Sequence, residues 1–239
     1  MGRIITITFN PAIDLTTSVK SVVSGPKLRC RQPRIDPGGG GINVSRAIAK
    51  LGFRSIALAA IGGVAGEVLQ CQAEQQGVDA NWFKIEGETR QSFTVHDEST
   101  SEQYRFVLPG PRWSNAAFAG LLNYASQLIQ ANDFVVASGS LPPGVPNDAY
   151  CQLAEIAADA AAKLIVDTSG PALEALIKKT GAGPSVLVMD EDEASQLAGI
   201  PYVKIDDAVR ISDGLISNRI AETIVVTMGG RAVVANSSL

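Results

Sequence analysis

The run Asp36-Pro37-Gly38-Gly39-Gly40-Gly41-Ile42-Asn43-Val44-Ser45-Arg46-Ala47 is the densest concentration of chemically suggestive residues in the chain. Four consecutive glycines leave a backbone without side chains that can approach a ligand closely. The residues behind them read as a helix: Ile42, Ala47, Ile48 and Leu51 are apolar at helical spacing, and Gly52 is a stop. A bare loop feeding a helix start presents free N–H groups and the positive end of the helix dipole, which suits polar or anionic ligands. The spacing is neither G-x-G-x-x-G nor G-x-x-x-x-G-K-S/T, so neither a dinucleotide fingerprint nor a P-loop is expected. A flexible hinge is the alternative reading of the same residues.

Other residues offer matching chemistry. Asp14 follows the first strand-like segment, where it is either a turn residue or an acceptor for ligand hydroxyls. Lys27, Arg29 and Arg31 lie in one polar segment, and Arg90 and Arg105 lie at or within another. Folded together over the glycine loop they would bring forked donors to a bound anion; singly, each is a solvated charge. Ser138-Gly139-Ser140-Leu141-Pro142-Pro143-Gly144 is a small, turn-rich loop whose hydroxyls and backbone can face a cleft. It does not match G-x-S-x-G, and the single histidine, His96, cannot readily complete a hydrolase triad. Asp167 is open to two readings, a helix cap or a metal-shell carboxylate. The run Asp190-Glu191-Asp192-Glu193 likewise either favours a helix dipole or holds Mg²⁺, which takes hard oxygen ligands.

These residues need a scaffold, and the pattern supplies one. Strand-like segments at Ile4–Phe9, Ser55–Ile61, Phe134–Ala137, Leu164–Asp167, Val186–Met189 and Thr223–Thr227 alternate with helix-like stretches. The latter are Ile42–Leu51, Gly66–Gln76, Ala116–Gln130, Asp148–Ala162, Ala172–Thr180, Glu191–Leu197 and Asp206–Asn218. That alternation predicts an α/β fold with a mostly parallel sheet covered on both faces. Right-handed crossovers then gather the strand C-terminal ends on one edge, where ligands bind. The segments 14–33 and 91–108 break the rhythm with strand-like alternation and no helix; they read as a small β-layer acting as a lid, or as two long surface hairpins. Val233–Ala235 begins a further strand, and no covering helix follows it before Leu239, so a fragment is expected.

Composition narrows the function classes. The 239 residues are 46% apolar and 18% charged, with a net charge of −4. That balance leaves no electrostatic footprint for nucleic acid and no basic membrane-surface helix. No stretch reaches the roughly 20 apolar residues a bilayer span needs. The N-terminus runs straight into a strand-like segment, so no signal peptide is expected. Cys30, Cys71 and Cys151 are odd in number and lack a C-x-x-C pair, which points to a reducing compartment, the cytoplasm, and no zinc site.

Taken together the motifs resemble the ribokinase-like PfkB carbohydrate kinases, in particular their bacterial PfkB-type (minor isozyme) 6-phosphofructokinase branch. The resemblance covers nearly the whole chain. It is carried by Lys27-Leu28-Arg29-Cys30, Pro37 to Val44, Glu102-Gln103-Tyr104-Arg105-Phe106-Val107 and Ser138 to Gly144, in that order. It implies a ribokinase-like fold with a β-sheet lid, and phosphorylation of a sugar phosphate with ATP and Mg²⁺. Fructose 6-phosphate is the implied substrate, with fructose 1-phosphate or tagatose 6-phosphate as competitors and a non-catalytic sugar-phosphate-binding pseudo-kinase as the alternative of another class. By position, Asp14, Gly38, Gly39 and Asn43 match residues that hold sugar hydroxyls. Lys27, Arg90, Arg105 and Ser140 match the grip on the substrate's phosphate. Thr227, Gly229, Gly230 and Arg231 match the nucleotide loop, with Asp190 beside it; Glu193 matches a glutamate that organises magnesium through water, and Asp167 is its companion candidate. A homodimer through the lid is implied as well. The chain departs from the family where Val188, Met189 and Asp190 replace the usual Lys-Pro-Asn and where Ala232 replaces a glycine. The family's catalytic aspartate lies in a G-A-G-D motif that these 239 residues do not contain, so no catalytic base is assigned and the chain alone is expected to be inactive.

Overall fold

The computed structural model describes residues 2–179 and 181–237. In chain order its first elements are β1 (Ile4–Thr8), β2 (Ala12–Val19), β3 (Arg34–Gly38), α1 (Gly40–Lys50), β4 (Ile56–Ile61), α2 (Gly63–Gln75) and β5 (Asp79–Lys84). Next come β6 (Arg90–Asp97), β7 (Gln103–Val107), α3 (Asn115–Leu128), β8 (Phe134–Ser138), α4 (Ala149–Asp159) and β9 (Lys163–Asp167). The remainder are α5 (Gly170–Lys178), β10 (Val186–Asp190), α6 (Glu191–Ala198), α7 (Ile205–Ser217), β11 (Thr223–Thr227) and β12 (Val233–Ser237). Thr180, expected to end the helix from Ala172, lies outside the described residues.

One sheet has the order β12-β11-β10-β9-β8-β1-β4-β5. All its neighbours are parallel except β12, which runs antiparallel to β11. A second sheet has the order β3-β2-β6-β7; β2 runs parallel to β6, and β3 and β7 add to it antiparallel. This is the α/β architecture expected, a mostly parallel central sheet with a small second one.

The alternation in β1 shows how the two faces are built. Ile5, Ile7 and, just beyond the strand, Phe9 enter the main core, where the Phe9 ring meets Tyr150 edge-on with centroids 5.5 Å apart. Thr6 and Thr8 face α1 instead. The Thr6 and Ser45 hydroxyls lie 2.8 Å apart, and Ile42 N donates to Thr8 Oγ1 at 3.1 Å. β4 divides in the same manner: Leu58 and Ala60 join the main core, while Ala59 and Ile61 join a cluster with Ile13, Ile42 and Leu69. Cores on both sides are what a mostly parallel sheet requires.

The glycine run owes its composition to this packing. A Cβ on Gly41 would lie 2.6 Å from Thr8 Oγ1 and 2.7 Å from the Ile7 carbonyl oxygen, and one on Gly40 would overlap the Ser138 side chain. Glycine therefore lets α1 dock on β1 and β8 at backbone distance. Gly39, at φ 116°, is the N-cap of α1 and takes a conformation other residues avoid. At β1 the strand order reverses, with β4 and β5 to one side and β8 to β12 to the other. Ligands of open α/β sheets bind beyond the strand ends at such a switch point. The start of α1 sits there.

One sequence expectation needs correction, and one strand lies outside the segments read from the sequence. The strand β5 is not among those segments because Asp79, Asn81 and Lys84 interrupt its apolar residues; it forms at the sheet edge, where its ends remain exposed. The segments expected to form a lid differ in their makeup. Residues 20–33, expected to contribute to it, carry no strand, whereas Arg34–Gly38, the lead-in to the glycines, is itself strand β3 of the second sheet. Among the described residues no helix is long and apolar enough to cross a membrane.

Candidate active site

A cleft of about 460 Å³ opens between the second sheet and the start of α1. Asp14, Gly39, Asn43, Arg90 and Arg105 all line it, so five of the eight residues expected to bind substrate converge. The register of the second sheet explains how: Asp14 lies opposite Ser92 and Asp36, and Arg105 opposite Thr94, so one face of the sheet points its polar side chains inward. Gly38 belongs to the same wall, because a Cβ there would overlap the Asp14 carboxylate.

The electrostatics are those of a partly dry polar site. Burial raises the Asp14 carboxyl above its ordinary range; Asp36 adds to the rise, while Arg90, Arg105 and Arg46 oppose it. Burial likewise lowers the Arg90 guanidinium, against the pull of Asp14. Arg90 Nε donates to the Asn10 carbonyl at 3.2 Å, and Asn10 Nδ2 donates to Ser140 Oγ at 3.2 Å. Asn10 thereby links two expected phosphate-holding residues. Ser140 lines an adjoining cavity that shares Arg90 with the cleft.

Lys27 stands apart. It is exposed within the 20–33 connection and does not line the cleft of this chain. That connection is clamped at both ends to the β6–β7 hairpin. Val22 N donates to Asp97 at 2.7 Å, and Arg31 pairs with Glu98 at 2.6 Å. The Ser99 hydroxyl, first among several donors, holds Asp97 at about 2, and Arg31 holds Glu98 at about 2.

The residues expected at the nucleotide end occupy a separate region, beyond the ends of β10 and β11. Thr227 ends β11, and the turn after it is closed by Met228 N donating to the Ala232 carbonyl at 2.9 Å. Gly229 and Gly230 are exposed on this turn. Arg231 is occupied within the protein: it pairs with Glu191, and its guanidinium lies 5.0 Å from the Tyr202 ring centroid. Asp190 caps α6, accepting from Glu193 N at 2.8 Å while Glu193 Oε2 accepts from Asp190 N at 2.8 Å. Burial foremost, then the carboxylates of Asp190, Asp167 and Asp192, raise the Glu193 carboxyl; the hydrogen bond from Asp190 N opposes them. Asp167 is not the cap of α5, whose N-cap is Ser169; its Oδ2 accepts from Ser138 Oγ at 2.9 Å, tying β9 to β8. Among the described residues no three carboxylate, histidine or cysteine side chains gather as a metal cluster.

A larger cavity, about 720 Å³, opens at the opposite edge of the main sheet. Small apolar side chains such as Ala154, Ala157 and Ala161 dominate its walls, and Lys163 and Glu222 pair at 2.9 Å. Its chemistry is therefore poorer than that of the cleft. Sequence reasoning missed Arg46 and Asp36, which also line the cleft. The signal for Arg46 was its place one helical turn after Asn43, on the same face.

The geometry can be set beside known proteins. The model of the pfkB family carbohydrate kinases matches residues 7–238. The chain belongs to this family. It is 41% identical over 229 residues to a Mycobacterium tuberculosis protein named ATP-dependent 6-phosphofructokinase isozyme 2. That match covers 96% of this chain and 66% of the relative, so the chain spans just under two thirds of that relative's length. Identity to the Escherichia coli protein of the same name is 36% over 230 residues, covering 96% of this chain and 73% of that one. The crystal structure of phosphofructokinase-2 from Escherichia coli in complex with fructose-6-phosphate superimposes with a TM-score of 0.91 at 34% identity, covering 100% of this chain and 78% of that one. The family is one of carbohydrate kinases.

Proposed function

We propose that the chain carries the sugar-phosphate site of an ATP-dependent 6-phosphofructokinase, which converts fructose 6-phosphate and ATP to fructose 1,6-bisphosphate and ADP. The convergence of Arg90 and Arg105 with Asp14 and Asn43 in one cleft at the switch point carries this reading. Arg105 and Arg90 hold the phosphate already on the sugar, and Asp14 and Asn43 hold hydroxyls nearer the glycine run. Phosphoryl transfer is chiefly positioning and charge stabilisation, which suits a site with so many fixed polar groups. No residue lining the cleft is assigned as proton acceptor, and the chain contains no G-A-G-D sequence. ADP release by these 239 residues alone is not part of the proposal.

The nucleotide is assigned to Thr227, Gly229, Gly230 and Arg231, with Asp190 at its edge. The negative charge crowding Glu193 fits a divalent cation. With no three-ligand cluster among the described residues, Mg²⁺ would be held largely through water and phosphate oxygens, Glu193 contributing and Asp167 standing behind it. Bound there it would neutralise charge on the phosphoryl group in transfer. A homodimer through the second sheet is proposed from Ile35, Phe93 and Phe106, exposed members of an apolar row that pairs across the sheet through the partly buried Leu15. A cytoplasmic location is proposed because the three cysteines are unpaired.

Calorimetric titration with fructose 6-phosphate, fructose 1-phosphate, tagatose 6-phosphate and unphosphorylated fructose tests the reading. Fructose 6-phosphate is expected to bind tightest and fructose not at all. Equal binding of fructose, or no binding of any phosphorylated ketose, would overturn it.

A further inference from the structure

We propose that Arg46 is a positioning residue that fixes which way the Asn43 amide faces. The cleft would then read a sugar with one acceptor, the Asp14 carboxylate, and one donor, the Asn43 amide NH₂. The proposal rests on the sugar-phosphate reading of the cleft.

Arg46 lies one turn after Asn43 on α1, and its side chain is only 17% exposed. Nη1 donates to Asn43 Oδ1 at 3.0 Å and to the Pro37 carbonyl at 2.9 Å. Nη2 donates to Asp36 Oδ1 at 3.0 Å, and Nε to Gln76 Oε1 at 2.6 Å. A guanidinium has five N–H donors and no acceptor, so these four bonds nearly exhaust it. The side of the Asn43 amide that meets it must be the oxygen, which leaves Nδ2 for the cleft. The four partners come from β3, α1 and the residue capping α2, so the orientation is set before any ligand arrives.

The same count separates Arg46 from Arg105. Arg105 makes no side-chain hydrogen bond among the described residues and keeps its fork for an anion, whereas Arg46 has spent its own. Arg46 therefore serves hydroxyl recognition, although it stands in the same cleft and carries the same charge.

The test measures affinity for fructose 6-phosphate and, separately, for inorganic phosphate in Arg46→Ala, Arg46→Lys, Asn43→Ala and the Arg46→Ala/Asn43→Ala pair. Loss of one charge-assisted bond predicts that both Arg46 variants bind fructose 6-phosphate roughly tenfold more weakly. Inorganic phosphate should hold within about twofold in Arg46→Lys, which keeps the charge, and in Asn43→Ala, which removes none. Asn43→Ala should add almost nothing on top of Arg46→Ala, as expected of residues acting as a unit. Rescue by lysine, equal losses for phosphate, or additive effects would each overturn the proposal. Should Arg46→Ala fail to fold by circular dichroism, Gln76→Ala loosens the same side chain from outside the cleft and must show the same selective loss in smaller measure. An unaltered chain that binds no fructose 6-phosphate would instead sink the sugar-phosphate reading, and this proposal with it.

Discussion

The two ends of the candidate site are built on different principles. At the sugar end the groups expected to meet ligand, Asp14, Asn43, Arg90 and Arg105, line one cleft, and two of them are braced by groups with no ligand role of their own, Asn43 by Arg46 and Arg90 by the Asn10 carbonyl. At the nucleotide end Arg231, Asp190 and Glu193 satisfy one another or their own helix: Arg231 on Glu191 and Tyr202, Asp190 and Glu193 in a reciprocal cap. A site supported from behind keeps its geometry without ligand, whereas one whose groups pair among themselves must exchange those contacts on binding. The difference teaches that order at rest is concentrated where a group is braced by a residue with no ligand role of its own, rather than by another ligand-facing group.

The strongest way to break this contrast is Arg90→Ala. Charge-assisted phosphate bonds contribute about 1.5–3 kcal/mol, so sugar-phosphate affinity should fall by one to two orders of magnitude in a titration. Nucleotide affinity should not follow; equal losses would mean that the two ends are not separate. Gly41→Ala probes the packing behind the sugar end. Helix propensity favours alanine by about 1 kcal/mol. The new Cβ would meet the Ile7 carbonyl at 2.7 Å, and backbone cannot rotate away. Overpacking of this kind costs about 1–3 kcal/mol, so a net fall in the urea midpoint is expected.

A pH experiment sharpens the comparison at the 20–33 connection. Asp97 and Glu98 both have folded values depressed to about 2. Their contribution is therefore fully present above the ordinary carboxylate value near about 4 and is lost as pH falls from there through 2. Amide exchange in residues 21–33 should accelerate over that window, and Asp97→Asn should flatten the Asp97 part of the profile. The smallest effect is expected from Arg231→Ala. Its ion pair is half exposed, and its stacking on Tyr202 is similarly wet, so each contributes well under about 1 kcal/mol to stability. The unfolding midpoint should hardly move, while nucleotide affinity drops a few-fold and sugar-phosphate affinity stays.

How much of this was legible in the sequence depended on whether a local pattern reported the local structure. The parallel strands were readable because burial on both faces demands unbroken β-branched runs, and the glycine run because no other residue admits α1 so close to β1 and β8. The edge strand β5 was not, since partial exposure lets Asp79 and Asn81 interrupt the run. The lid boundary was missed for a related reason: Arg34–Gly38 looked like a prelude to the glycines, yet Pro37 and Gly38 tolerate an edge strand that pairs with β2. Arg46 escaped notice because its place one turn after Asn43 marks a shared face but not burial; its partners Asp36 and Gln76 are brought to it only by the fold.

The parallel pairing of β2 with β6 has one more consequence. The β6–β7 hairpin can form locally, but joining it to β2 and β3 requires a pairing between distant stretches of chain. The cleft wall is thus completed by a non-local pairing, a step that is intrinsically slow.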